Sequence, residues 1–301
     1  MPFRDFVLGF MSKLGVFLRK TIFARSSILN VMHGKIALLL HGSSRVQVDN
    51  FEVTFDPRDK IVAKKLVLYG EYEREEIEEM CALINDGDSV LDVGAQIGVH
   101  TLYLSEAVGP DGKVIAVEPD PDNLEILEQN VRNNRCRNVV VVQGALGNKG
   151  GVVKLYQNSH NRGELSLVDL SKEGVYVKVK IFKGEDLLSS LGVDRVDFAK
   201  IDVEGYEPFV LEGLGRFLPN NILFEFNARY LNAHGVKPVD FLNSLVANGY
   251  ALELVAAHGN TSGKSPKNTP AALVEFSQVY DADCNILAFR RRDSETDETT
   301  N

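Results

Sequence analysis

Residues 89–98 read Ser-Val-Leu-Asp-Val-Gly-Ala-Gln-Ile-Gly. Val90, Leu91 and Val93 form an apolar run that predicts a buried strand, and residues 99–108 continue as a helix. Asp92, Gly94 and Gly98 between them spell Asp-x-Gly-x-x-x-Gly. A strand that turns through glycines into a helix brings bare backbone close to a nucleotide-like ligand. The spacing is not the Gly-x-Gly-x-x-Gly of dinucleotide sites, and no Lys follows as in a phosphate-binding loop. No pyrophosphate has to be cradled, and Asp92 offers a carboxylate to a cationic ligand end. That combination suits S-adenosylmethionine, which carries an ammonium, a sulfonium and no phosphate.

Working outward, Gly109-Pro-Asp-Gly112 is a turn, and Lys113 to Val117 read as the next strand, followed by Glu118-Pro119. An acid at the end of the second strand can accept hydrogen bonds from both hydroxyls of a ribose. Pro119 keeps Glu118 extended, Asp120 is placed to cap the following helix, and Pro121 suits its first position. Leu124, Leu127 and Val131 recur at helical spacing. Further strands are expected at 138–142, 196–201, 222–226, 250–255 and 285–289, with two extra ones at 152–156 and 175–182. Helices are expected at 72–83 and 238–246. This alternation predicts an α/β fold, a doubly wound and mostly parallel seven-stranded sheet with helices on both faces. Asp92, Glu118, Gln143 and Asp202 then fall at the carboxyl ends of the strands, where such sheets bind ligands.

With these motifs in view, the chain resembles the class I methyltransferases, whose fold is Rossmann-like, and within them the FkbM-type family. The resemblance rests on Asp92-Val-Gly-Ala-Gln-Ile-Gly98 with Thr101, on Val117-Glu118-Pro119, and on Lys200-Ile-Asp202-Val-Glu204-Gly205-Tyr-Glu207. The helix at 71–78 also fits, and the match spans residues 50–290. The family usually carries Asn where this chain has Gln96, and an aromatic or apolar residue near His100. The resemblance implies S-adenosylmethionine as cofactor, bound by Asp92, Gly94, Gln96, Gly98, Thr101 and Glu118. It also implies that Gln143 and Ala145 frame the adenine; plain turn geometry accounts for Gly144 equally well. O-methylation of a sugar or natural-product hydroxyl is the activity implied.

Transfer from a sulfonium is an in-line displacement that mainly requires alignment and exclusion of water. An alcohol acceptor also needs its proton removed as the bond forms. Asp202 and Glu204 are candidate bases, with Asp202 first, and Lys200 is a candidate for orienting the acceptor. The alternative is that Lys200 pairs structurally with an acid and Glu204 caps the next helix. His160 lies in the polar loop 157–166, which in the family resembles the loop facing the acceptor; a solvated turn is the other reading. No close-spaced ligand motif is present, and no metal is expected. Two other functional readings stay open. One is N-methylation of protein or nucleic acid, weakened by the absence of an Asn-Pro-Pro-Tyr or Asp-Pro-Pro-Tyr motif after strand four. The other is a non-catalytic cofactor-binding interaction protein.

At 301 residues, 44% of them hydrophobic, the chain can bury a full core. It has no apolar run long enough to span a membrane. Cys81, Cys136 and Cys284 are scattered and odd in number, which suits a reducing, cytoplasmic setting without disulfides. Residues 1–50 hold seven Lys or Arg against two Asp, a net of +5; the whole chain is −9, so residues 51–301 carry −14. Such an acidic body is a poor general binder of nucleic acid. Phe3, Phe6, Phe10, Leu14 and Phe17 recur at helical spacing among basic residues. That helix would pack on the core or on a second copy of the chain, or else residues 1–30 would lie on a membrane surface. The expected divisions are a basic extension with a small hairpin at 1–60, a methyltransferase domain at 61–291 and an acidic disordered tail at 292–301. The partner expected is a small-molecule or glycan acceptor.

Overall fold

The structure is a computed structural model that describes residues 44–157, 165–169, 174–258 and 265–290. His160, the basic helix expected in residues 1–30 and the acidic tail lie outside the described residues.

The chain opens on a hairpin, β1 (Arg45–Val48) and β2 (Phe51–Thr54). Helix α1 (Lys60–Lys64) follows, capped by Asp59, and runs on as a π turn over Lys65–Tyr69. Helix α2 (Arg74–Leu83) leads into β3 (Ser89–Val93), α3 (Val99–Ala107), β4 (Lys113–Glu118), α4 (Pro121–Asn133) and β5 (Val139–Gln143). Four strands come next: β6 (Ala145–Gly147), β7 (Gly151–Gln157), β8 (Leu165–Ser166) and β9 (Tyr176–Lys183). Then come α5 (Gly184–Ser190), β10 (Phe198–Ile201), α6 (Glu207–Leu214), β11 (Asn221–Phe226), α7 (Ala228–Ala233) and α8 (Pro238–Ala247). The last elements are β12 (Ala251–His258), α9 (Pro270–Tyr280) and β13 (Asp283–Phe289).

Seven strands form one sheet in the order β12-β13-β11-β10-β3-β4-β5, with β13 antiparallel to both its neighbours and the others parallel. Helices cover the central strands on both faces, so β3, β4 and β10 read as nearly unbroken apolar runs. The chain winds from β3 through β4 to β5 in one direction and from β10 to β11 in the other. A crevice therefore opens beyond the carboxyl ends of β3 and β10, at the point where the winding reverses.

The hairpin is bound to this body through side-chain amides on α4. Buried Asn130 accepts from Thr54 N at 2.7 Å and donates to Thr54 O at 2.9 Å and to Ile97 O at 2.7 Å. Asn134 repeats the exchange with Glu52 at 2.9 and 2.8 Å. The two amides thus serve β2 as a neighbouring strand would, and the first also ties it to the glycine turn.

The two extra strands, β7 and β9, lie in a separate four-stranded sheet of order β6-β9-β7-β8. Two expected element bounds and one missing helix need correction. Strand β12 runs on to His258, and α9 occupies 270–280, a stretch for which no helix was expected. The acidic helix starts at Arg74 because Glu73 before it is left-handed, with φ 41°. By contrast, Asp120 caps α4 as anticipated, accepting from Asp122 N and Asn123 N at 3.0 Å, with Pro121 in the first turn.

Candidate active site

A cavity of about 430 Å³ fills the crevice. Its floor is the turn after β3. Gly94 has φ +80°, and a Cβ there would stand 1.9 Å from the Asp202 carbonyl oxygen. Only glycine lets the turn pass beside the end of β10. The amides of Gly94 and Ala95 donate to Val117 O at 3.0 and 3.1 Å, which joins the turn to the end of β4.

Glu118 ends β4 with its side chain buried and facing the cavity. Its Oε2 accepts from Gln96 N and its Oε1 from Asp120 N, each at 2.8 Å. Burial raises its pKa to about 7, against the opposing pull of these two amides. The carboxylate is held rigidly from behind, and each oxygen keeps acceptor capacity for a ligand.

Asp92 does not line the cavity; it is fully buried beneath it. Its Oδ2 accepts from the Thr101 hydroxyl at 2.6 Å, and Oδ1 has no hydrogen-bond partner. Burial raises its pKa, with Lys200 pulling the other way. Thr101 and Gly98 also stand back from the cavity wall. Asp92, expected to meet a cationic ligand end, thus lies behind the cavity wall. Lys200 faces Asp92 across β10 and β3 and lines the cavity. Burial works against the Lys200 charge, but Asp202, Asp92 and Glu73 outweigh it and raise its pKa. Its Nζ lies 3.0 Å from Asp202 Oδ2, and the Asp202 side chain is 35% exposed.

Beyond β10 the loop is locked by Glu207 rather than Glu204. Glu207 Oε1 accepts from Val203 N at 3.2 Å and Gly205 N at 3.1 Å, and burial raises its pKa to about 8. Glu204 is left-handed at φ 54° and lines the cavity. Gln143 ends β5 with its side chain exposed and outside the cavity; Gly144 and Ala145 are the lining residues of that turn.

The remaining wall joins His100, Asp202 and Glu204 with residues that no sequence window singled out. Lys65 Nζ pairs with Glu73 Oε1 at 2.9 Å and stacks over the Tyr72 ring at 4.7 Å. His100 packs edge-on to Tyr72 at 5.6 Å, and burial lowers its pKa to about 3, so it is neutral. Its Nε2 lies 3.4 Å from Glu73 Oε2 but makes no hydrogen bond. Asp202, Glu204, Glu225, Asp283 and His258 also line the cavity, which is therefore rich in acids. Burial raises the pKa of Glu225 far above its ordinary value, and neighbouring Asp202 and Glu204 add to the effect. Among the described residues no group of His, Cys, Asp or Glu is placed to hold a metal, and no helix is long and apolar enough to cross a membrane.

A sheet of this order, with its penultimate position antiparallel and a carboxylate at the end of its second parallel strand, is the class I methyltransferase architecture. The model of the methyltransferase FkbM domain matches residues 92–252, more than half of the chain, which belongs to that family. The chain is 27% identical over 155 residues to methyltransferase sdnD of Sordaria araneosa, covering 42% of this chain and 60% of that protein. It is 28% identical over 171 residues to hexuronic acid methyltransferase AglP of Haloferax volcanii, covering 56% of this chain and 65% of that protein. The chain thus spans less than two thirds of either relative. A solved FkbM methyltransferase from Methylobacillus flagellatus aligns with 79% of this chain and 56% of its own at 17% identity, with a weak TM-score of 0.41.

Proposed function

We propose that the chain transfers a methyl group from S-adenosylmethionine to a hydroxyl of a sugar or small natural product. The observation that carries this reading is Glu118, a buried carboxylate at the cavity floor held by two backbone amides. A carboxylate so fixed suits a vicinal diol, because both of its oxygens can still accept. The cavity volume of about 430 Å³ lies within the range of small-molecule sites. Family membership supports the reaction class, and AglP, named for hexuronic acid, supports a sugar acceptor.

When bound, S-adenosylmethionine supplies a methyl group already activated by its sulfonium. In this reading Glu118 holds the ribose and the Gly94–Gln96 turn lies against the nucleoside. Neutral His100 and Tyr72 exclude water from one wall without adding charge. Asp202 already pairs with the Lys200 ammonium at 3.0 Å. The pair is better suited to orient the acceptor, with Glu204 beside it. Positioning of this kind accounts for much of the barrier lowering in an in-line displacement.

The test incubates the chain with methyl-labelled S-adenosylmethionine and a pool of sugars, glycans and hydroxylated metabolites, and reads products by mass spectrometry. Methyl ethers are expected. Label found only on nitrogen, or no transfer at all, would reject the proposal.

A further inference from the structure

Glu76 and His258 are 182 positions apart in the chain and meet at the cavity rim. His258 ends β12 and lines the cavity, with its side chain 43% exposed, whereas the Glu76 side chain on α2 is only 3% exposed. His258 Nε2 lies 2.7 Å from Glu76 Oε1, and Asn285 Nδ2 donates to the same oxygen at 2.8 Å. An ionised carboxylate only accepts, so Nε2 carries the proton and Nδ1 keeps the lone pair. Among the described residues no hydrogen bond engages Nδ1. A buried carboxylate, an imidazole fixed in one tautomer and a ring nitrogen left open beside a ligand cavity are the parts of a general-base dyad.

We propose that His258, oriented by Glu76, takes the proton from the acceptor hydroxyl during methyl transfer; this rests on the methyl-transfer reading above. The acceptor O–H bond breaks and its proton moves to His258 Nδ1. An oxygen electron pair forms the new bond to the methyl carbon. The carbon–sulfur bonding pair stays on sulfur and cancels its positive charge. The positive charge ends on the imidazolium, which Glu76 is placed to stabilise. His258 is then a catalytic residue and Glu76 a positioning residue.

The groups facing the imidazole agree with this assignment. Glu76 from α2 and Glu73 just before it favour its charged form, Lys65 from the π turn opposes it, and Asp283 is its register partner on β13, two residues before Asn285. The net effect, led by the hydrogen bond to Glu76, raises the His258 pKa above its ordinary 6.5. Turnover needs the neutral ring, so the rate should rise with pH through this raised pKa.

The test uses the full chain, methyl-labelled S-adenosylmethionine and the same sugar and glycan pool. His258→Asn should lower turnover by about 10²–10⁴-fold while calorimetry finds cofactor affinity little changed. Added imidazole should restore part of the turnover in His258→Ala. Glu76→Gln should move the acid limb of the pH–rate profile to lower pH, and the NMR titration of the His258 ring should move with it. Wild-type-like turnover in His258→Asn, or an acid limb and ring titration unmoved in Glu76→Gln, would overturn the dyad and leave the methyltransferase reading standing. A wild-type chain that methylates nothing in the pool would reject that reading first, and the dyad with it.

Discussion

Asp92 and Lys200 are register partners on adjacent parallel strands, β3 and β10, and both are buried. The ammonium of Lys200 pairs with the cavity-facing carboxylate of Asp202, and its charge also offsets part of the effect of burial on Asp92. Lys200→Met would leave Asp92 as a buried charge without its counter-ion. A loss of unfolding free energy is expected, because the cation that offsets the burial of Asp92 has been removed. Adding Asp92→Asn to that variant should recover part of the loss. Urea unfolding of the single and double variants checks this, and additive effects would show that the two residues are not coupled.

Glu118→Ala removes the proposed acceptor of both ribose hydroxyls. It should weaken S-adenosylmethionine binding by about 1.5–3 kcal/mol while the protein stays folded. Calorimetry with S-adenosylmethionine or S-adenosylhomocysteine measures it. An unchanged affinity would remove Glu118 from the cofactor site.

Glu207 and Glu118 set a pH dependence of stability. Their pKa values rise from 4.5 to about 8 and about 7 in the folded chain. Between those limits the folded state keeps protons that the unfolded state has released. The stability they contribute is fully present below pH 4.5 and is lost as pH rises through about 7 and then about 8. Glu207→Gln should flatten the upper part of this decline. Denaturant titrations between about pH 5 and pH 8 test it, and an identical slope in the variant would assign the decline to other groups.

Gly94 and Gly87 separate backbone conformation from close approach. Both have positive φ, at +80° and +87°, but a Cβ at Gly87 meets nothing within 4 Å, whereas at Gly94 it meets Asp202 O at 1.9 Å. Gly87→Ala should cost about 1–2 kcal/mol, the left-handed penalty alone. Gly94→Ala must also displace the end of β10, so it should cost clearly more and disturb the cavity. Equal melting temperatures for the two variants would contradict the close packing of β3 against β10.

Much of the sheet was legible because its signals are local. Val90, Leu91 and Val93 make an apolar run, Gly94 and Gly98 punctuate it, and Asp120-Pro121 announces the next helix within a few residues. Glu118 was legible for the same reason: an acid directly after a buried strand is visible in a short window. The helix at 270–280 was missed after a stretch rich in Gly, Ser, Thr, Asn and Pro, and its capping residue Thr269 makes no side-chain cap bond.

The sequence by itself determined the alternation of strands and helices, the glycine turn and the acid that ends β4. These depend on hydrophobic period, backbone freedom and capping, which act over a handful of neighbours. Only the tertiary structure decided that Asp92 is sealed behind the wall, that Lys200 stands in front of it, that Glu207 locks the loop and that Glu76 meets His258. Those outcomes depend on register between strands and on contacts across long separations. There, burial and the fields of distant charges set the chemistry, and no short stretch of sequence contains both partners.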